Sequence, residues 1–128
     1  MKRLFLFSVL LLSVSAAQAN QDRFDDEVAH LLNYIEQSDC TFIRNGTSYS
    51  AAEARAHIGR KFGHIKRRIS SAEQFITYGA SRSSITGTAY KVDCAGVSME
   101  SGRWLSEELE AYRKAQAGGS PPTDPQVR

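Results

Sequence analysis

The segment Cys40-Thr41-Phe42-Ile43-Arg44-Asn45-Gly46 lies between two helical patterns and decides the fold class of this chain. Its first five residues are rich in β-branched and aromatic types, which favour an extended backbone and predict a short strand. The strand is expected to stop at Asn45-Gly46, because this dipeptide accepts the positive φ angles of a tight turn. A strand set among helices predicts an α+β protein.

Helices are predicted on both sides of this strand. Between Asp22 and Gln37 apolar residues recur at helical spacing, and acidic residues open the pattern, where the helix dipole favours them. After the strand, Ser50-Ala51-Ala52-Glu53 matches a capping box and predicts a second helix. The core stripe of this helix is predicted to be Ala54, Ile58, Phe62, Ile65 and Ile69.

The remainder of the chain repeats these signals. Ser70-Ser71-Ala72-Glu73 predicts a third helix, and residues 89–94 alternate well enough for a second strand. Ser101 is expected to cap a fourth helix that Gly118-Gly119 ends. We therefore expect one mostly helical α+β domain over residues 20–117, with about four helices and a two-stranded β element. The Pro-rich segment 118–128 is expected to be a disordered tail.

The two cysteines, Cys40 and Cys94, border the two predicted strands. In an oxidising compartment such a pair commonly forms a disulfide, which we predict here. Closing so long a loop contributes about 4 kcal/mol in the chain-entropy model, less any strain. A redox or metal-binding pair is the alternative, but the C-x-x-C spacing that would support it is absent.

The first 19 residues have the pattern of a secretory signal peptide. Lys2 and Arg3 precede an apolar run, and Ala17-Gln18-Ala19 predicts cleavage between Ala19 and Asn20. The run is about half the roughly 20 residues of a membrane-spanning helix, so no transmembrane anchor is expected. The mature chain is predicted to be soluble and to lie in a bacterial periplasm or outside the cell.

Cleavage also changes the charge. Removing Lys2 and Arg3 leaves 16 − 2 = 14 cations against 14 carboxylates. A nucleic-acid-binding domain normally keeps a basic excess, and an exported protein rarely meets nucleic acid, so this partner is not predicted. The charges are nonetheless arranged in blocks, with six cations and no carboxylate in residues 55–68.

His57 and His64 lie in this basic block, seven residues apart. On a helix their backbones are about 10.5 Å apart along the axis, too far for one tetrahedral ion. Neither a metal nor a cofactor is predicted. His57 has Glu53 and Lys61 one turn away on either side, a spacing at which a carboxylate can orient an imidazole as a general base. The alternative for His57 is a surface or boundary residue without a catalytic role.

Three segments resemble a known family: FIRNGTSYSAAEARAHIGRK at 42–61, RISSAEQFI at 68–76 and ASRSSITGTAY at 80–90. They are similar to the YfeK-like family of small exported proteobacterial proteins, a domain of unknown function. The family pattern matches at Phe42, Arg44, Asn45, Gly46, Glu53, Ala54, His57, Lys61, Ser81, Ser83, Ser84, Thr86, Gly87 and Tyr90. Members often have Pro before the tyrosine where this chain has Ala89, and the cysteine pair is not part of the pattern.

The resemblance implies no activity, ligand or cofactor, but it selects polar residues without an obvious folding role. If they converge, they form a donor-rich site for an anion or a polar envelope fragment, or for an envelope protein partner. The predicted binding residues are Arg44, His57, Lys61, Ser81, Ser83, Ser84, Thr86 and Tyr90. One alternative is a serine hydrolase that uses Ser83 or Ser84 with His57 as base, although no G-x-S-x-G elbow is present. Another is a purely structural or interaction protein.

Overall fold

The computed structural model describes residues 13–119, and it describes side chains from residue 15 onward. Its helices are α1 (Ser13–Gln37), α2 (Ala51–Ile65), α3 (Ala72–Phe75) and α4 (Ser101–Ala117). Its strands are β1 (Thr41–Arg44), β2 (Thr47–Tyr49), β3 (Lys91–Cys94) and β4 (Val97–Glu100). A 3₁₀ turn extends α2, and a π-helical turn, Ile76–Ala80, extends α3. The predicted fold class, a mostly helical α+β single domain, is confirmed.

The strands form one antiparallel sheet in the order β2-β1-β3-β4. The two predicted strands are its central pair, and two further strands flank them. Each flanking strand follows a two-residue turn with positive φ at both positions: Asn45 and Gly46 at 50° and 76°, and Ala95 and Gly96 at 53° and 86°. Turns of this kind match the twist of a hairpin. The chain therefore reverses after each central strand, and the flanking strand pairs with it.

The chain therefore builds the same unit twice, a hairpin followed by a helix, about 50 residues apart. β1, β2 and α2 form the first unit, and β3, β4 and α4 form the second. Phe42 and Val92 are the buried residues of their central strands and lie directly opposite each other. No repeat is visible in the sequence, because the two units share backbone geometry and few residue types.

The register of β1 with β3 fixes what lies at the two ends of this pair. Counting outward from Phe42 and Val92 by two residues gives Cys40 opposite Cys94 at one end and Arg44 opposite Tyr90 at the other. Side chains two apart on a strand share a face, so both pairs lie on the buried face of the sheet. Cys40 and Cys94 form the predicted disulfide, with Cα atoms 4.6 Å apart.

The core lies between the helices and this face of the sheet. Its largest fully buried apolar side chains come from three helices and β3: Leu31, Ile35, Phe75, Val92 and Leu105. On α2, Ala54 and Ile58 are buried, whereas Phe62 and Ile65 are only partly buried. Ile69, the last residue of the predicted stripe, is also partly buried but lies beyond the helix, in extended backbone after the 3₁₀ turn. The predicted stripe of α2 thus packs most deeply in its first two turns, beside the sheet.

The observed start of α2 agrees with the prediction, and the observed starts of α3 and α4 differ from it. At Ser50 both bonds of the capping box form, at 3.2 and 3.3 Å. α3 is capped by Ser71 and not Ser70, since the Ser71 hydroxyl accepts the amide of Gln74. Ser101 does not cap α4. It is the first residue of the helix, and its buried hydroxyl donates to the carbonyl of Ala80 at 2.9 Å.

A buried carboxylate, Glu27, joins α1 to α4. Arg113 donates to both of its oxygens, at 2.7 and 3.2 Å, and Arg23 donates at 2.8 Å. Arg113 also binds Glu73 on α3. Burial by itself raises the pKa of Glu27, but the hydrogen bonds from Arg113 and Arg23 outweigh it, so the pKa is lowered. The carboxylate stays ionised, and Arg113, through Glu27 and Glu73, ties α1, α3 and α4 together.

Residues 15–23, in the first turns of α1, contribute nothing to the core. Residues 15–23 are exposed, and Phe24 is the first buried residue of the described chain. Because α1 begins at Ser13, the acids expected in its first turn lie farther along the helix. Residues 1–12 of the predicted signal peptide and residues 120–128 of the predicted tail lie outside the described residues. No helix within residues 13–119 has the length and apolarity needed to span a membrane.

Candidate functional site

Arg44 is the unusual residue of β1, because an arginine occupies the buried face of the sheet. It shares this face with Phe42 and is half-buried at the strand end. Its Nη1 lies 2.8 Å from Nδ1 and 2.9 Å from Nε2 of His57, and its Nη2 donates to the Tyr49 hydroxyl at 3.1 Å. The guanidinium carbon also lies 4.9 Å from the centre of the Tyr49 ring, a cation–π contact.

The Tyr90 hydroxyl is the meeting point of the site. It lies 3.3 Å from Nε2 of His57 and accepts a hydrogen bond from Nζ of Lys61 at 3.4 Å. His57 and Lys61 are one turn apart on α2, so both reach the same side of the helix. Lys61 is held from a second direction by the carbonyl of Arg82, at 2.6 Å. We call Arg44, His57, Lys61 and Tyr90 the cationic cluster.

The cluster has two cations and no carboxylate. Within residues 13–119 no salt bridge includes Arg44 or Lys61. Burial, and then the charges of Arg44, Arg60 and Lys61, lower the pKa of His57. Burial and Arg44 likewise lower the pKa of Lys61. The imidazole is therefore neutral at neutral pH, where it can accept from Arg44 through Nδ1 and donate from Nε2 to Tyr90.

Burial raises the pKa of the Tyr90 phenol, and the charge of Arg44 opposes this rise. Tyr90 thus keeps its proton at neutral pH. Because its oxygen already accepts from the cluster, the hydroxyl proton is left to donate to a ligand. Arg44 and Lys61 also have more N–H donors than their described bonds use. The cluster can therefore offer several hydrogen-bond donors, two of them charged, to one acceptor group.

A small cavity of about 30 Å³ lies against this cluster. The polar side chains of Arg44, Tyr49, His57 and Tyr90 form one part of its wall, and the apolar residues Phe42, Ala54 and Ile58 form another. Ile43 and Ser101 also line it. The site thus combines a charged rim with a hydrocarbon interior. The sequence predicted the rim residues but not the cavity.

Two of the predicted loop hydroxyls are engaged with the loop's own backbone. Ser83 is buried, and its oxygen accepts the amides of Ile85 and Thr86 at 3.3 and 3.2 Å. Ser81 donates to the carbonyl of Ile76 at 2.6 Å, which closes the π-helical turn. These two serine hydroxyls shape the backbone, and in the described residues neither forms a hydrogen bond with a side chain of the cationic cluster.

The other two hydroxyls also lie outside the cluster. Thr86 donates to the side chain of Asn45 at 2.8 Å and so fastens the loop to the turn of the first hairpin. Ser84 is exposed. No hydrogen bond described in residues 13–119 joins a serine to His57, and the arrangement required by the serine hydrolase hypothesis is not formed. Of the eight predicted binding residues, the fold gathers Arg44, His57, Lys61 and Tyr90.

Two further residues differ from the sequence interpretation. Glu53 does not orient His57, because its carboxylate accepts the amide of Ser50 in the capping box. Tyr49 was not predicted, although a signal existed. A two-residue turn at Asn45-Gly46 places Tyr49 opposite Phe42, on the same face as Arg44. In the described part of the chain no three His, Cys, Asp or Glu side chains are grouped so as to hold a metal ion.

The fold and the cluster together define a small disulfide-bonded α+β protein with a half-buried cationic site. The chain belongs to the family of unknown function DUF5329, whose model matches residues 22–113. It is 40% identical over 92 residues to the uncharacterized protein YfeK of Salmonella typhimurium, which covers 70% of this chain and 77% of that protein. The resemblance noted from the sequence is thus confirmed. No solved structure matches the chain.

Proposed function

We propose that this chain is an exported, non-catalytic binding module that holds an anionic or strongly polar group at the cationic cluster. The observation that carries the proposal is the pair Arg44 and Lys61, two cations that lack a carboxylate partner in the described residues. Arg44 contacts His57, and His57 and Lys61 both contact the Tyr90 hydroxyl. Bringing like charges together on a partly buried surface raises the free energy of the folded protein. A bound anion would relieve this repulsion.

Export is part of the proposal, and two observations support it. The disulfide suits an oxidising compartment such as the periplasm. Residues 15–23 bury nothing, so cleavage after Ala19 would leave the described core complete. An envelope fragment or an envelope protein is accordingly the source of ligand that we favour.

A purely structural role is the second candidate function. The hydrogen bonds of the loop at residues 81–87 favour it. Ser81, Ser83 and Thr86 form hydrogen bonds that order the chain between α3 and β3. Arg44 and Lys61 also have partners within the protein. On this reading the cluster joins β1, α2 and the loop, and the protein acts through another surface.

Titration of the oxidised protein with formate and with phosphate, followed by NMR, separates the two candidates. We expect saturable shifts at the His57 imidazole and the Arg44 amide. Arg44→Gln and Lys61→Gln should each weaken binding about tenfold or more, since each removes a charged hydrogen-bond donor. Arg67→Gln and Lys66→Gln are matched controls, because both side chains are exposed near the end of α2.

Binding that survives in Arg44→Gln and Lys61→Gln, or is lost equally in the controls, contradicts the proposed site. The absence of saturable shifts in the wild-type protein with either anion favours the structural role. Circular dichroism of every variant establishes that a loss of binding is not a loss of fold.

A further inference from the structure

The cavity beside the cationic cluster is the feature that bears on ligand identity. At about 30 Å³ it can hold one water molecule or a group the size of a methyl. An aromatic ring or a long alkyl chain would not fit without displacing the walls. The size of the cavity therefore limits what can enter it together with an anion.

The chemistry of the walls decides between water and a methyl group. Phe42, Ala54 and Ile58 are buried and offer hydrocarbon alone. A buried water needs two or more polar partners, and cavities lined by hydrocarbon remain dry or take an apolar group. Of the polar groups at the cavity, Ser101 already donates its hydroxyl proton to the carbonyl of Ala80, and the others belong to the rim.

The rim and the interior are adjacent, because Arg44, His57 and Tyr90 line the same cavity as the apolar residues. A ligand whose anionic group binds at the rim can therefore place its neighbouring carbon substituent inside. We infer that the site, given the binding role proposed above, selects a carboxylate with a methyl-sized apolar group on the adjacent carbon. The carboxy-terminal alanine of a peptide has this chemistry.

Such a carboxylate can come from a peptide terminus or from a free short-chain acid. The two sources share the carboxylate and the apolar group and differ in the amide that precedes the terminal residue. N-acetylalanine, in both enantiomers, represents the peptide terminus, and propionate represents the free acid. Tighter binding of N-acetylalanine would assign the peptide source, and tighter binding of propionate the free acid. Either result is compatible with the inference.

The test is a calorimetric or NMR titration of the oxidised protein with a graded series. N-acetylalanine should bind roughly fourfold more tightly than N-acetylglycine, the factor expected from burying one methyl group. N-acetylphenylalanine should bind more weakly than N-acetylalanine, because its ring exceeds the cavity. The amide of N-acetylalanine, which lacks the charge, should not bind measurably.

Two variants alter the cavity and leave the charged rim intact. Ala54→Val fills the space and should abolish the preference for alanine over glycine. Ile58→Val enlarges it and should move the preference toward the larger N-acetylvaline. Thermal unfolding of both variants verifies that they fold.

Formate separates failure of this inference from failure of the proposed function. If formate binds through Arg44 and Lys61 while the glycine and alanine compounds bind equally, the selectivity is refuted and the anion site remains. If formate and the whole series fail to bind, the proposed function itself is refuted.

Discussion

The two ends of the β1–β3 pair differ in how they are closed, although the backbone register is the same at both. At one end Cys40 and Cys94 are joined covalently. At the other end no covalent bond joins Arg44 and Tyr90. Arg44 is held by His57 and Tyr49, and the Tyr90 hydroxyl is held by His57 and Lys61. One piece of regular sheet can thus supply stability at one end and a polar surface without a covalent link at the other.

A second contrast concerns the arginines. Arg113 binds the carboxylates of Glu27 and Glu73, so its charge is neutralised inside the fold. Arg44 faces His57 and Tyr49, which are neutral. Both side chains are partly buried, but only Arg113 is placed as a stabilising ion pair. Substitution of Arg113 should therefore lower the free energy of unfolding more than substitution of Arg44.

The largest effect is expected at the covalent end. Replacing both cysteines, as Cys40→Ala with Cys94→Ala, should lower the free energy of unfolding by about 4 kcal/mol, since the disulfide closes a long loop in the unfolded chain. Urea denaturation of the variant and of the oxidised wild-type protein measures the difference. A loss below about 1 kcal/mol would mean that the disulfide end contributes no more than an exposed ion pair.

The ion pair should show the next largest effect. Arg113→Gln should cost about 2 kcal/mol, less than the 3–5 kcal/mol of a fully buried pair, because Arg23 still binds Glu27. Arg44→Gln is the matched control, and it should cost under about 1 kcal/mol because no carboxylate loses a partner. Equal losses in the two variants, measured by urea denaturation at neutral pH, would contradict the contrast between the arginines.

The smallest effect is a pH dependence at the open end. The pKa of His57 lies below its ordinary 6.5 in the folded protein, so the unfolded chain takes up this proton first. The stability contributed by the neutral imidazole should be present above pH 6.5 and decline as the pH falls. A bound anion raises the pKa of His57, and formate should therefore bind a few-fold more tightly as the pH decreases from 8 toward 6.

Substitution of His57 isolates this linkage. His57→Gln should flatten both trends, whereas His64→Gln, at an exposed position on α2, should leave them unchanged. In the wild-type protein, the free energy of unfolding should decrease and the affinity for formate should increase as the pH falls. An affinity for formate that is constant over this pH range would exclude His57 from the anion site.

The sequence predicted those parts of the fold that depend on local patterns. The apolar spacing of α1, the capping box at Ser50 and the turn at Asn45-Gly46 each involve neighbours in the chain. β4 was not predicted, because Ala95 is an uncommon residue at positive φ and Val97 to Glu100 are largely exposed, which hides the alternation. The position of Ser101 was also missed, since its hydroxyl binds Ala80 across the fold.

The candidate site was predictable in part for the same reason. His57 and Lys61 are one helical turn apart, so their proximity follows from spacing alone. Their meeting with Arg44 and Tyr90 depends on the β1–β3 register, which no local pattern encodes. The loop serines were grouped with them because they are polar, but backbone bonds account for Ser81 and Ser83.

The register also bears on the order of events in folding. Each hairpin closes around a two-residue turn, which is a microsecond process in a chain that is otherwise unstructured. The pairing of β1 with β3 instead joins residues about 50 apart in the sequence. Because closing this long loop costs conformational entropy, the pairing of β1 with β3 is slower than the closure of either hairpin. Cys40 and Cys94, separated by 54 residues, meet only when the two hairpins dock. The rate at which the two thiols oxidise during refolding therefore reports the rate at which the two units dock.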